Sequence, residues 1–415
     1  MRQIKVFIIL ICGILFSSGC SDLQHNYSQG PEESMISDQV SDKNSSLYKA
    51  DFDLLWEELT NSYPYLPYLR EQGVDVESIH DSYAAELSSM DNGGKFAGML
   101  QRMFSELNNF AHLGLVSPEM YQDYYYIYVL NDDIMPAELS SRYVEVLQDP
   151  GLSARYTTQD IGEADDTAGS NFGFPEAAVH YYSDCRALYL QIPSFAQEIV
   201  QRDSSLIEDV LLKYPEAEHI IFDITGNSGG SDYYWMENLV APFGGSYTFS
   251  YRNFFRLSDI YEDYYPDLKA LPVSELDDAP EWTELMELDH YYVSSMVLPD
   301  DDKDSGVVAV SKNLKRWVLI SPQVYSASEK FAVFCKATGW ATLVGMTTSG
   351  DGLGTTPVLI LLPDSGLLVR FSYFVGENLD GSINAVRGTR PDEVCIKGAL
   401  PLNRCLELIR EEQQP

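Results

Sequence analysis

An α/β fold preceded by a helical N-terminal region is what this 415-residue sequence predicts, from three observations. The closing third alternates strand-like and helix-like segments at the lengths of α/β units. In mid-chain a continuous apolar run, HIIFD, passes into a glycine-rich turn, the pattern of a buried strand. Between residues 51 and 107, apolar residues recur instead at helical spacing.

Taken in order, residues 1–20 run from Arg2 and Lys5 through the apolar stretch 6–16 into small residues ending at Cys20. This is a secretory signal pattern. The apolar run falls short of the roughly 20 residues that span a bilayer, so cleavage is expected rather than a permanent span. Ser18-Gly19-Cys20 is similar to the end of a bacterial lipoprotein signal, with Ser17 where leucine is usual. It implies lipidation of Cys20 and an extracytoplasmic protein held to the cell membrane, plain secretion being the alternative.

Residues 21–47 are polar and serine-rich and read as a flexible tether. A helical region is expected over 48–116, with Phe52, Leu55, Trp56 and Leu59 at helical spacing and further helices around 79–87 and 96–107. Its last turn delivers His112. Residues 117–180 read as a connecting region with some strands. The core is assigned to 181–410: strand RALYLQIPSF, a helix over 206–212, strand HIIFD, strand KRWVLIS, helix SASEKFAVFCKAT, strand ATLVGM, the strand pair PVLILLP and GLLVRFSYF, and helix PLNRCLELIREE. Within it, 247–304 is rich in Tyr, Asp and Pro and is expected to be a surface insertion.

A formal charge of −36 excludes a duplex phosphate backbone as partner and favours a solvated acidic surface. Beyond Cys12 and Cys20, the cysteines are Cys185, Cys335, Cys395 and Cys405, without CxxC or Cys/His clustering. No structural zinc is expected, nor any other metal or organic cofactor. Cys395 and Cys405 are the nearest pair for a disulfide, which a core of this size does not need.

Three segments carry groups suited to chemistry. In VYSASEKFAVF, Ser326 and Ser328 stand at a strand-to-helix junction, where helix capping is the ordinary explanation. A serine there also meets free backbone N–H groups and the helix dipole, which suit an anionic intermediate. In FDITGNSGG, Gly229 and Gly230 can face a backbone N–H to a ligand, or simply make a tight turn. In NFAHLGLV, His112 is either a helix-end histidine satisfied by a carbonyl or the base for a serine hydroxyl. GDGLG at 350–354 lacks the following helix and acid of a nucleotide-binding loop.

Together these segments resemble the tail-specific (carboxyl-terminal processing) and tricorn-like serine protease family. Ser326-Ala327-Ser328-Glu329 followed by TLVGMTTSGDG is similar to its S-A-S-E block and the strand end after it. DITGNSGG is similar to its D-x-R-x-N-G-G-G turn with Thr225 for arginine, GTRPD at 388–392 to its G-V-x-P-D element, and the His112 segment to its D-x-H-T element. The resemblance implies a crotonase-like core, and peptide or unfolded-protein substrates cleaved through a Ser326 acyl-enzyme. It casts His112 as base, and N–H groups near Gly229, Gly230 and Ala327 as the oxyanion hole.

Departures from the pattern choose the branch. The processing branch has a lysine base 25 residues after the serine, and here that residue is Asp351; no PDZ-like segment is found either. The tricorn-like, non-lysine branch is therefore implied. Where that branch carries a glutamate, this chain has Ala385 or Val386, leaving Asp351 and Glu377 as candidates for the orienting acid. Two other readings follow: a pseudoenzyme that binds peptides outside the cytoplasm, and a lipoprotein that binds sugar or protein through 247–304.

Overall fold

A computed structural model describes residues 45–130, 137–153, 155–156, 177–298, 311–396 and 398–413. The signal, Cys20 and nearly all of the expected tether lie outside the described residues.

The N-terminal region is helical, as its periodicity requires. Ser45–Ser62, Val76–Glu86 and Gly93–Glu106 are its main helices. Asp75 and Asn92 cap the second and third by accepting the Ser78 and Lys95 N–H groups, which the first helical turn cannot satisfy itself. Phe96, Met99, Leu100 and Met103 form the buried stripe of the third. The chain then turns sharply, with Asn108, Asn109, Ala111 and His112 all at positive φ. It enters strand β1 (Gly114–Leu115).

The main sheet has six strands: β2 (Ala178–Tyr182), β3 (Ala187–Gln191), β4 (His219–Asp223), β8 (Lys315–Ile320), β9 (Thr342–Gly345) and β13 (Glu393–Val394), in the order β13-β9-β8-β4-β3-β2. All pairs are parallel except β2 with β3. β4 is buried at every position because both faces are covered. Ile220 and Phe222 pack under helices Val200–Lys213 and Ala327–Thr338, while Ile221, one residue out of phase, joins Cys405 and Ile409 of helix Pro401–Glu412 on the other face. Each such side chain contributes about 1.5–3 kcal/mol on burial.

A second core joins the N-terminal helices to two smaller sheets. One has the order β1-β11-β10, with β10 (Val358–Leu362) and β11 (Leu367–Phe371). The other has the order β12-β5-β7-β6, built from β5 (Tyr247–Phe255), β6 (Leu271–Pro272), β7 (His290–Leu298) and β12 (Val375–Gly376). Here the expectation of a surface insertion at 247–304 is corrected over its described part, 247–298. β5 and β7 pair over nine residues, and Phe249, Phe254, Phe255 and Tyr292 are buried. Its tyrosines and phenylalanines alternate with polar residues at the two-residue period of a half-buried ladder. Cys395 and Cys405 are buried free thiols, so no disulfide joins them. No described helix is long and apolar enough to cross a membrane.

Candidate active site

Three parallel strands end side by side, and the loops after them converge, the usual position for a site on such a sheet. The loop after β8 carries Ser326, the turn after β4 carries Gly229 and Gly230, and the loop after β9 carries Asp351. Ser326 stands immediately before the buried helix Ala327–Thr338 with φ 57° and ψ −126°, and it makes no side-chain capping bond. Capping therefore does not explain this serine. Its backbone is pinned by a bond from its N–H to the Gly350 carbonyl, 3.2 Å. Ser328, by contrast, is occupied: its hydroxyl lies 2.7 Å from the Asn227 carbonyl and accepts the Tyr325 N–H.

His112 and Asp351 meet across the chain. The His112 Nδ1 lies 2.6 Å from Asp351 Oδ2, with both side chains 3% exposed. Tyr325 OH and Ser372 Oγ also donate to Oδ2, at 2.7 and 3.1 Å. Burial alone would raise the Asp351 pKa, but the His112 ring and these hydrogen bonds outweigh it and hold the carboxyl below its ordinary value. A carboxylate at Nδ1 fixes the proton there and leaves a lone pair on Nε2. Nε2 is buried and has no hydrogen-bond partner among the described residues. His112, Ser326 and Asp351 are three of the few non-glycine residues at positive φ, so strain gathers where these groups converge.

Of the proposed oxyanion donors, the three differ. Ala327 N–H is the first of its helix and has no intrahelical acceptor. The Gly230 N–H makes no hydrogen bond among the described residues, and a Cβ there would stand 2.3 Å from the Phe195 backbone, so only glycine fits. Gly229 is corrected: its N–H is held by Asn227 Oδ1 at 2.8 Å, closing an Asx turn. Asn227 in turn donates to the Ile192 carbonyl, fixing the turn to the end of β3.

Asp351, not Glu377, reaches His112. Glu377 is engaged by Arg252, its Oε1 accepting from Nη2 at 2.8 Å. Ala385 is buried against the Asp351 loop: a Cβ on Gly350 would come within 3.1 Å of the Ala385 Cα. The carboxylate thus comes from a position adjoining the one where the sequence pattern looked for it. Gly350 and Gly352 are glycines because Asn384 and the Ser326 carbonyl press on them, at 2.1 and 2.5 Å from a would-be Cβ. The GDGLG loop is built to deliver Asp351. Sequence reading missed Tyr325 and Ser372, although Tyr325 directly precedes the serine and Ser372 directly follows β11.

One more acid is buried nearby. Burial pushes Glu329 up to about 7, against hydrogen bonds from Thr389 and Asn384. Among the described residues there is no group of three or more side chains suited to hold a metal ion.

Parallel strands with a serine at a helix start after β8 and a buried histidine–carboxylate pair in the neighbouring segments define an α/β protein. A model of peptidase family S41 matches residues 186–395, half of the chain, and the chain belongs to that family of serine-type peptidases. Among solved structures, a protein from Parabacteroides merdae described as a peptidase is 17% identical, with 87% of this chain and 96% of that one aligned at a TM-score of 0.52. Mature CPAF is 14% identical, with 84% and 92% aligned at 0.50. These likenesses show a shared fold. No curated protein sequence matches.

Proposed function

We propose that the protein is an exported, lipid-anchored serine peptidase with a crotonase-like core, working through a Ser326–His112–Asp351 triad. The observation that carries this is the buried 2.6 Å His112–Asp351 pair, whose Nε2 makes no hydrogen bond among the described residues and whose acid follows Gly350, the residue that accepts the Ser326 N–H. Ser326 Oγ attacks the peptide carbonyl while Nε2 takes its proton, and the oxyanion is met by the Ala327 and Gly230 N–H groups. Collapse expels the amine, which receives that proton. Water then repeats the sequence on the acyl-enzyme and frees Ser326. Asp351 holds the ring and stabilises its cation. Peptide or unfolded protein is the substrate, and no cofactor enters any step.

The pseudoenzyme reading rested on Ala385 replacing a glutamate. Asp351 supplies the carboxylate that this reading lacked. Membrane attachment rests on the sequence ending at Cys20, and Cys20→Ser is expected to move the protein from the membrane to the soluble fraction.

Fluorophosphonate labelling tests the catalytic reading. Wild type should label, Ser326→Ala should not, His112→Ala should label far more slowly, and Ser328→Ala should keep labelling if it folds. A folded wild type that fails to label restores the pseudoenzyme reading. Loss confined to Ser328→Ala moves the nucleophile to that residue.

A further inference from the structure

Away from the triad, a cavity of about 590 Å³ opens along the far end of the helix that begins after Ser326. Its size lies within the range of small-molecule and peptide sites. Lys336, on its wall, is ten residues beyond Ser326, about 15 Å along the helix. None of Ser326, His112 and Asp351 lines the cavity.

The charges around the cavity run against those of the molecule. The chain carries 63 acidic and 27 basic residues, yet two guanidinium groups, Arg387 and Arg390, stand on this wall, with Asp380 near enough to Arg387 to feel its charge. Neither guanidinium makes a hydrogen bond or a salt bridge among the described residues. Lys336 is taken by Asp392. Asp380, the carboxylate on the rim, accepts from the Ser382 hydroxyl at 2.6 Å. Val333 and Leu379 supply an apolar side, and Leu379 is 63% exposed.

The loop that carries both arginines is fixed before any ligand arrives. Gly388 lies at φ 59°, and a Cβ there would stand 2.2 Å from the Thr348 carbonyl oxygen. Thr389 N–H donates to Thr348 Oγ1 at 2.6 Å, and Asn378 Nδ2 donates to the Gly388 carbonyl at 3.2 Å. Two guanidinium forks on a rigid turn suit planar, bidentate carboxylate recognition at little ordering cost.

We propose that this cavity is an accessory binding site for carboxylate ligands, with the carboxylate between Arg387 and Arg390 and an apolar neighbour on Val333 and Leu379. An acidic peptide segment and a free small carboxylic acid share that chemistry. Binding there does not depend on acyl transfer, so it stands or falls separately from the peptidase reading.

The test uses the full chain carrying Ser326→Ala, so that nothing is cleaved. Fluorescence anisotropy is read with a labelled Glu-Leu-Glu-Leu amide, its Gln-Leu-Gln-Leu counterpart, and N-acetylglutamate as competitor. The glutamate peptide should bind at least tenfold tighter than the glutamine peptide, and its affinity should fall with salt. Arg387→Gln with Arg390→Gln should weaken it at least tenfold at unchanged melting temperature. Full competition by N-acetylglutamate identifies a small carboxylic acid as sufficient, and failure to compete identifies the peptide. Equal binding of the two peptides, no binding of either, or indifference to the double substitution would overturn the proposal.

Discussion

Two buried carboxylate pairs, one with a lysine and one with a histidine, flank the first turns of the helix Ala327–Thr338, and they differ in what they leave open. Lys330 and Asp232 meet at 2.7 Å with side chains 3% and 0% exposed, and Trp235 Nε1 donates to the second carboxylate oxygen. That pair ties the helix to the chain just after the glycine turn. His112 and Asp351 are as deeply buried, yet the imidazole keeps one nitrogen unengaged. Both pairs carry the desolvation cost of a buried carboxylate. In the first it secures the packing of a helix against a turn; in the second it holds a base in one tautomer.

The comparison is broken most severely at Asp351. Asp351→Asn should leave the circular dichroism spectrum unchanged and lower kcat by about ten-thousand-fold, since the ring loses the acid that fixes its tautomer. A smaller loss, below about tenfold, would mean that another group orients His112. Lys330→Met should do the reverse. Stranding Asp232 costs about 3–5 kcal/mol, read as a lower midpoint in urea unfolding, while labelling of the protein that remains folded persists.

Glu329 sharpens the contrast because it is buried near both pairs and lacks a cation of its own. Its pKa is raised from 4.5 to about 7, so between those values the unfolded chain gives up the proton first. Stability is therefore unaffected below pH 4.5 and declines as pH rises towards 7, by on the order of 3 kcal/mol. Glu329→Gln should flatten that decline in urea midpoints measured from pH 5 to 8. Glu198, also raised to about 7 by burial and by Asp123, will keep part of the slope. An unchanged slope would place the titration elsewhere.

Tyr325→Phe is the mildest break. It removes the hydrogen bond to the Asp351 carboxylate, about 1.5–3 kcal/mol, along with the one that the Tyr325 oxygen accepts from the His112 N–H, and should slow fluorophosphonate labelling by roughly ten- to hundredfold. The change should fall on kcat with KM held, because Tyr325 acts through Asp351 and His112.

The site was legible in unequal parts. Ser326 and His112 were picked out by the resemblance of their segments to the family's S-A-S-E and D-x-H-T blocks; the strand-to-helix junction and the helix end alone left the capping readings open. Asp351 was one of two candidates, since spacing places it after β9 without saying which way its loop folds. Gly229 looked equivalent to Gly230 in sequence; only the Asn227 side chain, which takes the Gly229 N–H, separates them. Within the expected insertion, 247–298 misled because exposed acidic and proline residues such as Asp259, Asp263 and Pro266 masked the inward aromatic alternation.

By itself the sequence determined the α/β class, the order of the core strands and helices, and the junction at which Ser326 stands, because each of these follows from periodicity and turn chemistry over a few neighbouring residues. The tertiary structure alone decided that His112, Asp351 and Ser372 share one buried cluster. His112 and Ser372 are 260 residues apart in the chain, and no local preference encodes a meeting at that range. The packing of β1 against β11, and of the Gly350 loop against Asn384 and Ser326, brings them together.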